Sequence, residues 1–143
     1  TAVAAGLSVS SSYNLGDTVI TGITPGTGAS SVLANISAGS GTVKVLKADG
    51  TENTGAVGTG NKIAVYANGT LVKQYDVVIY GDINGDGKIS VVDLVMMQKQ
   101  ILGTSQLSGA YAAAADISRD GKVSVKDLVL LQKHIINAAQ IEQ

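Results

Sequence analysis

Residues 82–102 read DINGDGKISVVDLVMMQKQIL and residues 116–136 read DISRDGKVSVKDLVLLQKHII. The two stretches are copies of one unit, repeated from Asp82 to Asp116 with a period of 34 residues. Each opens on a short run dense in Asp and Gly and closes on a stripe of helical spacing. Leu94, Met97 and Ile101 fall at i, i+3 and i+7, and so do Leu128, Leu131 and Ile135, the pattern of a helix with one buried face. A loop followed by an amphipathic helix, twice over, therefore decides the fold of the C-terminal part. Between the copies, Ser108–Ala115 contains YAAAA, which predicts a connecting helix.

The loops have the spacing of an EF-hand, in which oxygen ligands come from positions 1, 3, 5, 7, 9 and 12. In the first loop these are Asp82, Asn84, Asp86, the backbone carbonyl of Lys88, Ser90 (directly or through water) and Asp93. In the second they are Asp116, Ser118, Asp120, the carbonyl of Lys122, Ser124 and Asp127. Gly87 and Gly121 stand at position 6, where the sharp turn calls for positive φ, and Ile89 and Val123 supply the apolar residue at position 8. Three carboxylates per loop, with no thiolate or imidazole, suit a hard cation such as Ca2+, so two calcium ions are expected. A single DxNxDG run is also compatible with a metal-free surface turn. Two copies in register, each with Asp at position 12 and a helical stripe behind it, argue against that alternative.

Both loops depart from the ordinary EF-hand. Ser118 replaces the usual Asn or Asp at position 3, so weaker binding is expected in the second loop. Position 12 is Asp rather than Glu, one methylene shorter in reach. Val77–Tyr80, ahead of the first loop, reads as a strand, so the unit is loop then helix, half an EF-hand.

Upstream of Tyr80 the period changes. Val43–Leu46, Ile63–Tyr66 and Tyr75–Tyr80 are rich in β-branched and aromatic residues, with Asp49-Gly50 and Asn68-Gly69 between such runs. Asn68-Gly69 predicts a two-residue hairpin turn. Ser30–Ile36 places Val32, Leu33 and Ile36 at i, i+1 and i+4, one or two helical turns. Residues 1–80 are thus expected to be mainly β with one short helix, and residues 81–143 to be a separate α module. Ile79-Tyr80 runs straight into Gly81-Asp82 with no Pro/Ser linker, which predicts two modules packed together.

Bulk composition excludes several function classes. Of 143 residues, 45% are hydrophobic but only 3% aromatic, with no Phe or Trp, so the cores rest on Val, Ile, Leu and Ala. A net charge of −1 argues against a nucleic-acid binder, and no run approaches the roughly 18 apolar residues of a membrane span. Thr1–Gly6 has neither the basic nor the apolar region of a signal peptide. With no cysteine, disulfides and thiolate metal sites are excluded. His134 is the only histidine and has no nucleophile pattern around it; Asp17, Asp49, Glu52 and Asp76 form no recognisable acid/base pair; the Gly55–Gly60 run lacks a P-loop lysine. No catalytic constellation is present, and an enzyme is not expected.

The duplicated half-unit with Asp at position 12, from Gly81 to about Asn137, resembles the dockerin family of cellulosome-type assemblies. The resemblance implies an all-α module of two calcium loop–helix repeats with a connecting helix. It also implies a cohesin partner on a scaffoldin or anchoring protein, and a secreted, extracellular or cell-surface setting. Transferred by position, the recognition residues are Val91, Val92, Val95, Met96 and Lys99 in one copy, and Val125, Lys126, Val129, Leu130 and Lys133 in the other. Val92, Met96 and Lys99 form a second stripe outside Leu94, Met97 and Ile101, which suits a partner surface; the alternative is that this stripe packs on the N-terminal module or on the other helix. Val at three of the four positions 10 and 11 is closer to the hydrophobic style of type II dockerins. Members of that class often follow an Ig-like X module, and residues 1–80 resemble one, an Ig-like sandwich, in size, β character and position. The competing function is a calcium-stabilised surface or sensor module with no cohesin partner.

Overall fold

A computed structural model of the chain describes residues 8–9, 13–16, 18–37, 41–104, 106–137, 140–141 and 143. Thr1–Gly6 and Asp17 lie outside them. The described strands are β1 (Ser8–Val9), β2 (Asn14–Leu15), β3 (Val19–Thr21), β4 (Ile36–Ser37), β5 (Thr42–Leu46), β6 (Lys62–Ala67) and β7 (Thr70–Val77). Helix α1 (Ala29–Ala34) precedes β4; α2 (Val91–Leu102), α3 (Gly109–Ala115) and α4 (Val125–Ile135) follow β7. The N-terminal half is rich in strands and the C-terminal half carries the loop–helix repeats.

The main sheet has the order β2-β3-β7-β6-β5, and β1 pairs with β4 in a small second sheet. The β6–β7 hairpin turns at Asn68 and Gly69, whose φ values of 54° and 79° are the two left-handed positions a tight two-residue turn needs. Val45 pairs with Ile63 across β5 and β6, and β3 runs parallel to β7 with Ile20 opposite Val77. Ile20, Val32, Val45, Ile63 and Val77 are all buried in one apolar cluster, with α1 contributing Val32 across the sheet. Ser30–Ile36, expected to hold a turn or two of helix, thus forms α1 with β4 directly behind it.

The last strand ends earlier than its sequence suggests. Ladder pairing stops at Val77, and the next amides find other acceptors. Val78 N–H donates to the Ile20 carbonyl at 3.1 Å, Ile79 N–H to Thr59 Oγ1 at 3.0 Å, and Tyr80 N–H to Gln143 Oε1 at 2.6 Å. From Ile79 on, side chains replace the neighbouring strand, so the backbone polar groups stay paired while the chain leaves the sheet.

A second cluster holds the C-terminal half. Met97 of α2, Ala115 of α3 and Leu131 of α4 pack with Ile83 and Ile117 from the loops. Ser90 and Ser124 cap α2 and α4, each in a capping box with the Asp three residues on. Gly103, at φ 78°, ends α2 in the left-handed conformation.

The two clusters meet along the segment 56–60 and the first loop. Gly26 N–H donates to the Gly87 carbonyl at 2.8 Å. The Tyr111 ring of α3 lies where a Cβ on Gly60 would sit, within 2.6 Å of Cζ. On the far side the Arg119 guanidinium stacks 4.1 Å over the Tyr80 ring, and its Nη2 donates to the Gln143 carbonyl.

Candidate metal loops and docking face

Each loop gathers its acidic residues. Carboxylate oxygens of Asp82, Asp86 and Asp93 lie within 4.8 Å of one another, and those of Asp116, Asp120 and Asp127 do the same. The Asp at position 12 of each loop is fixed as part of a helix cap. Asp93 Oδ1 accepts from the N–H groups of Ile83 (2.8 Å) and Asn84 (3.0 Å), and Oδ2 from Ser90 N–H (2.9 Å). Asp127 repeats this with Ser118 N–H at 2.8 Å and Ser124 N–H at 2.9 Å. Both are fully buried, so a short Asp serves where loop and helix are drawn this close.

Asp82 is also fully buried, and its two oxygens accept four backbone bonds. Oδ1 takes Gly85 and Asp86 N–H, both at 3.1 Å; Oδ2 takes Gly87 and Thr59 N–H, both at 2.9 Å. Asp116 is only partly buried, and its described partners all come from its own loop: Gly121 N–H at 2.9 Å, Asp120 N–H at 3.2 Å and the Ser118 hydroxyl at 3.5 Å. Asn84 Oδ1 accepts from Asp86 N–H at 3.2 Å, and Lys88 and Lys122 donate their N–H groups to Asp86 and Asp120.

Electrostatics distinguish the loops. Burial pushes the Asp82 carboxyl up to about 6, against the pull of the Thr59 and Gly87 N–H bonds, and the charges of Asp93 and Asp86 raise it further. Burial also raises Asp93, opposed by its three backbone bonds. Exposed Asp120, by contrast, is held below the usual carboxylate range, chiefly by the Lys122 N–H. Desolvated carboxylates crowded with like charge are what a divalent cation relieves. The all-oxygen donor set fits calcium.

The residues expected to meet a partner divide by exposure. Val91, Val92, Val95, Val125 and Val129 are exposed, Val91 and Val125 by 58% and 59%. Lys99, Lys126 and Lys133 are exposed beside them. Met96 and Leu130 are half-buried and reach the inner cluster. Ile89 and Val123, the position-8 residues, also pack on that cluster. His134 Nδ1 accepts the Ile141 N–H at 3.1 Å, a structural part.

Residues 80–136 match the family model of the dockerin type I domain. The matched span holds both loops and all of α2, α3 and α4. Two solved structures are similar to part of the chain. Both are of the third cohesin ScaC in complex with the ScaB dockerin from Acetivibrio cellulolyticus, displaying a type I interaction. The one mutated in the N-terminal helix is 25% identical, covers 46% of this chain and 92% of that chain, and has a TM-score of 0.43. The one mutated in the C-terminal helix is 26% identical, covers 46% and 96%, and has a TM-score of 0.42. No curated protein matches the chain.

One feature of the acidic loops leaves almost no mark in the sequence: the Thr59 N–H, from the strand-rich half, on Asp82. Its trace is a difference between the copies, Gly85 in one and Arg119 in the other.

Proposed function

We propose that this chain is a non-catalytic docking segment whose dockerin half binds a cohesin in a calcium-dependent way, attaching its parent protein to a cellulosome-like or cell-surface complex outside the cell. The observation that carries the reading is the pairing of two acidic loops with exposed valines on the first turns of the helices they lead into, inside the span matched to a dockerin. Calcium holds each loop closed; the loop fixes the start of its helix; the helix presents Val91, Val92 and Val95, or Val125 and Val129. Two calcium ions are proposed, one on Asp82, Asn84, Asp86, Lys88, Ser90 and Asp93, the other on Asp116, Ser118, Asp120, Lys122, Ser124 and Asp127.

Apolar residues at positions 10 and 11 favour a hydrophobic interface in the type II style, although the family match is to the type I model. The module boundary is proposed at Tyr80–Gly81, between the two apolar clusters, with the strand-rich half as an Ig-like X module. Its β character, length and abutment on the first loop support that reading. A pull-down of the full chain against a panel of cohesins, with calcium and with EDTA, tests the function. Capture in calcium that EDTA abolishes is expected; calcium binding with no capture by any cohesin would favour a calcium-stabilised surface module instead.

A further inference from the structure

Gly85 and Arg119 hold the same place in the two repeats, and both have left-handed backbones, φ 81° and 61°. The loop itself therefore accepts a side chain at this position, as Arg119 demonstrates. Gly85 has a different constraint: a Cβ there would lie 2.5 Å from the Thr59 carbonyl oxygen and 3.2 Å from the Tyr111 ring. Gly58 faces the same loop so closely that a Cβ on it would overlap the Gly85 carbonyl and come within 2.7 Å of Gly87 N. Gly87 meets Val57 in the same way, its Cβ position 2.8 Å from the Val57 carbonyl. In the second loop the space around Gly121 is open.

The approach of these backbones delivers the Thr59 N–H to Asp82 Oδ2 at 2.9 Å. Thr59 is itself held rigidly. Its Oγ1 accepts from Ile79 N–H at 3.0 Å and donates to the Ile79 carbonyl at 3.1 Å. Two residues on, Asn61 Oδ1 accepts from Asn53 Nδ2 (2.7 Å) and Gly58 N–H (3.1 Å), a buried polar brace across the turn.

We infer that the turn Gly58–Gly60 of the strand-rich half is a working part of the first calcium loop: through the Thr59 N–H it positions Asp82 and sets that loop's calcium affinity, while the second loop binds unaided. The inference rests on the calcium reading of the loops. Groups that orient a ligand carboxylate without touching the metal alter affinity by about 10- to 100-fold when removed, and binding that depends on a neighbouring module makes the coupling reciprocal.

The position-6 glycines give each loop its own reporter, because Gly87 N–H donates to Asp82 and Gly121 N–H to Asp116. Calcium is titrated into the full chain while the Gly87 and Gly121 amides are followed by NMR. Gly85→Asn, tolerable in a left-handed loop taken alone, should move the Gly87 midpoint to about tenfold higher calcium or more and leave the Gly121 midpoint within about threefold; Arg119→Asn should change neither beyond that. An unchanged Gly87 midpoint in Gly85→Asn, or equal shifts at both glycines, overturns the inference. If that variant does not fold, the parent chain decides. Exchange of the Thr59 amide should slow as Gly87 titrates and not as Gly121 does, and exchange indifferent to calcium overturns the inference. A Gly87 amide that ignores calcium in the parent chain sinks the calcium reading of the first loop itself, a separate result from the other two.

Discussion

Tyr80 and Gln143 exchange two hydrogen bonds across 63 residues, the Tyr80 N–H donating to Gln143 Oε1 at 2.6 Å and Gln143 Nε2 donating to the Tyr80 carbonyl at 2.9 Å. A carboxamide thus stands where a strand neighbour would, at the residue that joins the two clusters, with Arg119 of the second loop stacked above it. Two partly exposed bonds contribute about 1–2 kcal/mol net. Gln143→Ala should lower the urea midpoint of the calcium-loaded chain accordingly and speed exchange at the Tyr80 amide. Because this clasp and the Thr59–Asp82 bond tie the halves together, unfolding should be one cooperative transition. Two transitions with independent midpoints would show the halves to be uncoupled.

Calcium removal should open the C-terminal half. Without a cation each loop keeps three carboxylates within 4.8 Å of one another, and their repulsion opposes the closed form, so metal binding adds to folding free energy. Helical circular dichroism should collapse in EDTA and return with excess calcium. Asp82→Ala should cost more than Asp116→Ala, by more than about 3 kcal/mol in the loaded chain, since it orphans four backbone donors, two of them buried. A helix signal indifferent to EDTA would count against a structural metal.

Burial of Asp82 and Asp93, with the like charges crowded beside them, gives the metal-free chain an inverted pH response. Asp82 titrates near 6 in the folded chain against an ordinary value of 3.8, and Asp93 moves in the same direction. A folded carboxyl with a raised pKa holds its proton where the unfolded chain has lost it. Stability from this source is therefore full below about pH 4 and is lost as pH rises through about 6. The effect is at most about 3 kcal/mol. Asp49 and Asp120, held below the usual range, act only under about pH 4, outside that window. Helical circular dichroism of metal-stripped protein, collapsed at pH 7, should return in part at pH 4.5. With saturating calcium the order should reverse, because protons then compete with the metal. A metal-stripped helix signal that rises toward pH 7 would contradict the assignment.

The C-terminal half was legible because its constraints are local. Loop spacing, Gly at position 6, and the stripes ending at Ile101 and Ile135 are all written within about 20 consecutive residues. The capping role of Asp93 and Asp127 lay behind the ligand role that the loop spacing leads one to expect of them. The strand-rich half was legible in its hairpin at Asn68-Gly69 and in β5 and β6, where turn chemistry and β-branched runs agree. Its topology was not, since the parallel pairing of Ile20 with Val77 depends on residues 57 positions apart and leaves no local mark. The same applies to Thr59 on Asp82: a backbone N–H donates there, and any residue but proline supplies one.

Docking should run through apolar contact, with lysines at the rim. Val92 and Lys126 occupy the same position in the two repeats, the second residue of α2 and of α4, and both are exposed. On the proposed docking function the two repeats offer two candidate faces, but burying the Lys126 ammonium would be costly even with its stem laid along the surface. The α2 face, with Val91, Val92 and Val95, therefore suits the interface centre. Truncating or charging a central anchor costs about 2 kcal/mol or more, roughly 30-fold in Kd, whereas a rim charge costs far less. Val92→Asp is a clean probe, because a carboxylate in the first turn of a helix favours that helix, so lost binding is not lost fold. Titration calorimetry should show Val92→Asp weakening the cohesin complex by at least about 30-fold and Lys126→Ala by less than about fivefold, with calcium content unchanged in both. Should Lys126→Ala abolish binding while Val92→Asp leaves it intact, α4 is the face that docks.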